Sequence, residues 1–168
     1  MHGVGPLVVK RFERLSAQDY RTALDGNLRS AVLAAQAVLP AMRAASFGRI
    51  VFFGSLGASQ TQPFRGFSYY QAAKSALCAF ARTLALEEAR NGVTVNLVVP
   101  GDIRDKLVSR DQARLRPGRA PVGRPGSFED VARAVGFLVA AQSDFVTGAV
   151  LEVTGGATAA DERNEPPQ

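Results

Sequence analysis

Three short runs rich in β-branched and apolar residues, each preceded by a helical stretch, constrain this chain more than any other feature. Arg49-Ile50-Val51-Phe52-Phe53, bounded by Gly48 and Gly54, reads as a strand buried on both faces. Val93 to Val99, stopped by Pro100-Gly101, reads as a second strand, and Ala149 to Val153 before Gly155-Gly156 as a third. Ser16, with Asp19 three residues on, comes close to a capping box, and Tyr20, Leu24, Leu28, Ala31, Ala35, Leu39 and Met42 then recur at helical spacing until the chain nears Gly48. A second helix is expected from about Ser68 to Arg90, with Asn91-Gly92 as its stop, and Ser127 with Asp130 caps a third. Helix and strand alternating in this way specify a parallel sheet wrapped by right-handed crossovers, an α/β protein in three α/β/α layers.

Composition narrows the class further. At 168 residues and 17.8 kDa the chain suffices for one domain with a real core, and 46% hydrophobic with 21% charged residues places it among globular proteins. No apolar run approaches the roughly 20 residues that span a bilayer, and the first residues lack a charged-then-apolar leader pattern, so the expected location is cytoplasmic. Cys78 alone permits neither an internal disulfide nor a multi-cysteine metal site, and its alanine-rich helical surroundings suit a small buried hydrophobe. His2, the sole histidine, lies too near the terminus to anchor a triad. The net charge of +5 is scattered except in a loop over 102–126 carrying Arg104, Lys106, Arg110, Arg114, Arg116, Arg119 and Arg124. Two readings of that loop stay open, a solvated surface or a lid whose cations meet an anionic ligand. No aromatic platform is interleaved with the charges, so nucleic acid is not an expected partner.

The chemistry-bearing pattern is Tyr70-Gln71-Ala72-Ala73-Lys74, because residues four apart project from one helix face. A phenol with a free pKa near ~10 is a poor acid or base at neutral pH. An ammonium held at about 4 Å favours the phenolate by up to ~4 kcal/mol at an effective dielectric of ~20. The spacing alone is common on helices. Here, however, the tyrosine helix follows a buried strand ending in Gly54-Ser55, and in open parallel sheets the strand ends border the ligand crevice.

With these residues in view, the sequence resembles the short-chain dehydrogenases/reductases, and especially their bacterial 3-oxoacyl-carrier-protein-reductase-like members. Gly5-Pro6 followed by Phe12 is similar to the segment after that family's fourth strand, and Asn27-Leu28 matches its relay asparagine. Gly48 through Ser55 matches the strand that ends in the catalytic serine, and Tyr70 with Lys74 the catalytic pair. Leu84 through Pro100-Gly101 matches the stretch reaching the nicotinamide, and Arg124-Pro125-Gly126 through Gly155-Gly156 the C-terminal signature. Residues 158–168, polar and proline-containing, are expected to form a disordered tail. The resemblance implies a partial Rossmann-like, doubly wound sheet over residues 1–157. It implies carbonyl/alcohol interconversion with NADP or NAD, catalytic residues Asn27, Ser55, Tyr70 and Lys74, and cofactor contacts from Tyr70, Lys74, Pro100, Gly101 and Ile103. The partners it implies are a small carbonyl or alcohol substrate and either further copies, as a dimer or tetramer, or a longer relative docked on the long helices. A non-catalytic subunit that oligomerises through those helices is the alternative.

Two departures from the family pattern bear on these expectations. The family opens with a strand, a glycine-rich turn and a helix whose N-terminus takes the pyrophosphate. Here Gly3 and Gly5 follow no strand, and Gly54 and Gly57 belong to the serine loop. The first strands are therefore expected to be missing, by truncation or a mis-assigned start, which weakens the expected grip on the dinucleotide. It also leaves the Arg49–Phe53 strand with an edge to be covered by residues 1–15, by another chain, or by nothing. The second departure is local: Ser55 stands two residues further upstream of Tyr70 than is usual, and Asp105 replaces the threonine many members place near the nicotinamide carboxamide.

Overall fold

The structure, a computed structural model, describes residues 1–3, 5–103 and 108–158. The capping box at Ser16 and Asp19 starts α1 (Ala17–Leu24), which passes through a π-helical turn (Asp25–Arg29) into α2 (Ser30–Ala44). Next come β1 (Gly48–Phe53), α3 (Ser68–Glu88) and β2 (Val93–Pro100), then α4 (Arg110–Arg114), α5 (Phe128–Val139) and β3 (Val150–Val153). The strands pair in parallel in the order β1-β2-β3, with Gly48 opposite Val93 and Leu97 opposite Val150.

Strand alternation divides the core into two layers. Ile50 and Phe52 of β1 join Val93, Val95 and Leu97 of β2 beneath α2 and α3, against Ala31, Ala35, Leu77, Ala81 and Leu84. Val51 and Val98 point the other way, onto Val131 and Leu138 of α5. One-residue alternation in a pleated strand sends successive side chains to opposite faces, so a strand apolar throughout demands helices on both. The three α/β/α layers follow, in a partial Rossmann-like arrangement. Gly92 ends the turn after α3 with φ 72°, and a Cβ there would lie 2.2 Å from the Ser46 carbonyl oxygen, so the connection into β2 accepts only glycine.

The outer edge of β1 is touched once by the N-terminal segment. The His2 amide donates to the Val51 carbonyl at 3.0 Å and forms an isolated parallel bridge, with its ring edge-on to Phe52. Of the coverings expected for that edge, residues 1–15 supply this bridge among the described residues.

Several expectations change in detail. Tyr20, expected on the core stripe, is 52% exposed and meets Tyr69 edge-to-face, while Ala23 and Asn27 are the buried positions of that turn. The π-helical turn rotates the stripe, which a strict 3.6-residue reading does not register. The loop over 102–126 contains the short helix α4, capped by Ser109 and Gln112. Within it Arg124 pairs with Asp130 at 2.8 Å, and Arg110 Nε lies 3.3 Å from the same carboxylate. Arg104, Asp105 and Lys106, together with residues 159–168 of the expected tail, lie outside the described residues. Cys78 is buried among the apolar side chains of α3, as its surroundings suggest. Among the described residues no helix is long and apolar enough to cross a membrane.

Candidate active site

The parallel register brings the ends of β1 and β2 to one rim of the sheet, and α3 begins at that rim, so Ser55 and the Tyr70-Lys74 turn meet there. Lys74 is buried, 4% exposed, and its ammonium donates to the Phe53 carbonyl at 2.8 Å. That bond ties the lysine to the last residue of β1, two positions before Ser55. The ammonium also stands over the Tyr70 ring, 5.7 Å from its centroid, within range of a cation–π attraction. Burial pulls the Lys74 pKa down to about 8, against a small opposing influence of Cys78.

Tyr70 differs from the sequence-based expectation. Its pKa is pushed up, by burial above all, while the Ser55 hydroxyl draws it down to a lesser extent. The Lys74 ammonium lies over the ring and donates to the Phe53 carbonyl. The half-buried phenol is therefore a protonated hydroxyl at neutral pH, a hydrogen-bond donor.

Asn27 is fully buried inside the π-helical turn, and its side chain explains the turn. A π turn removes an α-helical partner from a carbonyl upstream. The Asn27 amide nitrogen donates to the Ala23 carbonyl at 2.9 Å and to the Pro6 carbonyl at 3.0 Å, and Ser30 Oγ donates to the Gly26 carbonyl at 2.7 Å. Asn27 Oδ1 is left buried with no hydrogen-bond partner. A Cβ on Gly5 would lie 2.6 Å from that oxygen and 3.1 Å from Lys74 Nζ, so the asparagine oxygen and the lysine ammonium border one small space at Gly5. An orphaned acceptor beside a buried donor is a place for one bridging water.

The other expected residues sit differently. Pro100 and Gly101 end β2 at the same rim, where a Cβ on Gly101 would come within 2.7 Å of the Thr154 backbone. Ile103 is partly buried, and its side chain packs against the apolar layer under α5. The aromatic residues Phe64 and Phe67, next to Tyr70, carried no motif, since aromatic residues in a loop are not distinguishable from packing until the fold brings them to the site. Gly5, matched in the sequence only as part of the segment after the family's fourth strand, borders Asn27 and Lys74, which are remote from it in sequence.

Fold and site together define a parallel, Rossmann-like α/β protein with serine, tyrosine, lysine and asparagine gathered at the carboxyl rim of its strands. Residues 1–158 match the family model described as Enoyl-(Acyl carrier protein) reductase. YtkK of Bacillus subtilis, a candidate oxidoreductase, is 41% identical over 165 residues, covering 93% of this chain and 64% of its own. The 3-oxoacyl-[acyl-carrier-protein] reductase FabG of Haemophilus influenzae is 35% identical over 147 residues, covering 85% of this chain and 60% of its own. A candidate 3-oxoacyl-reductase from Bacillus thuringiensis superposes with a TM-score of 0.85 at 34% identity, covering 93% of this chain and 64% of that one. The chain belongs to the short-chain dehydrogenase/reductase family, and it spans less than two thirds of the length of these relatives.

Proposed function

We propose that residues 1–157 form the catalytic part of a short-chain oxidoreductase that interconverts a small carbonyl and its alcohol. The observation that carries this reading is the convergence of Ser55, Tyr70 and Lys74 at the rim, with the lysine ammonium locked to the Phe53 carbonyl. Family members generally use NAD(P), and the residues at the rim suit the nicotinamide end of such a group. Lys74 has three N–H donors and gives one to Phe53, leaving donors for ribose hydroxyls, and Pro100 and Gly101 offer backbone at the end of β2. When bound, the nicotinamide supplies hydride chemistry.

The chain's own residues do the rest. Ser55 holds the substrate oxygen, and Tyr70, kept protonated by burial, donates its proton to that oxygen as negative charge develops. Lys74 stabilises the tyrosinate left behind, since an ammonium near the ring favours the anion. Asn27 Oδ1 accepts from a water that also contacts Lys74 and returns a proton to the pair. This arrangement favours reduction at neutral pH, because the tyrosine rests in its proton-donating form.

The test is turnover and binding with the chain as it is. NADH or NADPH fluorescence is expected to saturate below the millimolar range, and carbonyl-dependent cofactor oxidation is expected to disappear in Tyr70→Phe with the fold retained. Absence of a saturable signal up to millimolar cofactor rejects catalysis by this chain, and normal turnover in Tyr70→Phe removes the tyrosine from proton transfer. A second reading has its own support: α2 exposes Leu33 and Val38 and α3 exposes Leu86, apolar surface suited to packing against another copy or a longer relative. Sedimentation velocity together with the cofactor titration distinguishes the two, since a non-catalytic subunit gives a defined oligomer with no cofactor signal.

A further inference from the structure

Beside the candidate proton donor the loop between β1 and α3 builds a row of rings. Phe64 and Phe67 lie with centroids 5.9 Å apart at 57°, and Phe67 meets Tyr70 at 6.2 Å and 66°. The row is fixed at both ends. Phe64 packs on Leu56 and Val99, next to Ser55 and the end of β2, and Phe67 is the residue that caps α3. Both phenylalanines remain half-buried, so the row is seated on the core and still presents surface. It therefore runs from the residue after Ser55 to the ring of Tyr70, the two hydroxyls assigned to the reacting oxygen.

We propose that this row is a binding wall for an aromatic ring carried directly on the reacting carbon, making the substrate class aryl ketones and the corresponding aryl carbinols. The inference rests on the carbonyl-reducing reading above and adds the identity of the group beside the carbonyl. An oxygen held between Ser55 and Tyr70 leaves an attached ring one bond from the reacting carbon, against Phe67 and Phe64. Tilted or edge-to-face ring pairs at such separations are favourable beyond the area they bury, and a saturated ring of the same size forfeits that part. The polar alternative has little to recommend it at this wall, where Leu56, Phe64, Phe67 and Val99 supply no hydrogen-bonding side chain.

Ligand-observed NMR titration of the full chain with acetophenone and with cyclohexyl methyl ketone tests the wall. Acetophenone is expected to bind about 2- to 12-fold more tightly, the range that one aromatic pair provides. Phe67→Leu, which keeps an apolar side chain and deletes the ring, is expected to abolish the preference. Tyr70→Phe is expected to weaken both ketones alike and leave the preference in place. Equal affinities in the unmodified chain, an unchanged preference in Phe67→Leu, or no saturable binding of either ketone up to its solubility limit overturns the proposal. If Tyr70→Phe alters neither affinity while the Phe67→Leu effect persists, the wall stands and the placement of the carbonyl oxygen at Tyr70 falls.

Discussion

Lys74 offers a prediction whose sign and size follow from its burial. Its pKa falls from 10.5 to about 8 on folding, chiefly because the ammonium loses water. Between those values the unfolded chain holds a proton that the native protein has released. Stability then rises with pH across this window, since it increases wherever the unfolded state binds more protons. The slope is about 1.4 kcal/mol per pH unit where the two states differ by a full proton and smaller towards either end of the window, so the gain between about pH 7 and about pH 9.5 comes to about 2 kcal/mol. For a domain of this size that corresponds to a rise of about 4–8 °C in Tm. Two other groups act in the opposite direction. Burial raises the pKa of the Cys78 thiol and of the Tyr70 phenol, and both erode stability at the alkaline end. Lys74→Met retains the length and bulk of the side chain and carries no titrating group, so the difference between the two proteins isolates the lysine. Urea unfolding across this pH range is expected to show the gap between unmodified protein and Lys74→Met shifting by about 2 kcal/mol in favour of the former as pH rises. Parallel pH profiles would refute the reasoning, because they would mean that Lys74 keeps its ordinary pKa and is not desolvated as described.

Two further predictions concern the scaffold. Glu88 is buried and paired with Arg43 and Asn91, and the Arg43 hydrogen bond draws its pKa down from 4.5 to about 2. Its contribution is present above the ordinary carboxylate pKa and is lost as pH falls from about 4.5 towards 2, so Glu88→Gln is expected to be less stable near neutrality and to show a shallower acid transition by circular dichroism. Ser127 is buried, accepts from the Asp130 amide at 3.2 Å and donates to Asp130 Oδ2 at 2.9 Å; Ser127→Ala is expected to cost about 1–2 kcal/mol in urea unfolding, and a loss below a few tenths would show that Asp130 and Arg124 hold the start of α5 without it.

The relatives are longer than this chain, and the difference bears on β1. Among the described residues that strand is paired with β2 on one side and meets only the His2 bridge on the other. Its Val51 carbonyl is taken by the His2 amide and its Phe53 carbonyl by the Lys74 ammonium, and that outer side is the position in which a further parallel strand pairs. Cofactor affinity and oligomeric state are therefore best measured together, because both depend on what lies against that edge.

Local chemistry determined much of this protein by itself. The capping serines at 16 and 127, the glycine at 92 and the largely apolar runs of β1 and β2 act on their own neighbours, so the elements and their parallel arrangement could be read without coordinates. The four-residue spacing of Tyr70 and Lys74 likewise fixes them on one helix face. What the spacing left open was where each group points. Tertiary structure turned the Lys74 ammonium to the Phe53 carbonyl and the tyrosine ring, buried the phenol so that its pKa rises, and opened a π turn that sets Asn27 Oδ1 beside Gly5. It also brought Phe64 and Phe67 to the tyrosine, and packed Ile103 against the layer under α5. Each of these depends on desolvation or on contacts between distant segments. Such quantities come into being when the sheet and helices pack, and sequence spacing carries no measure of them.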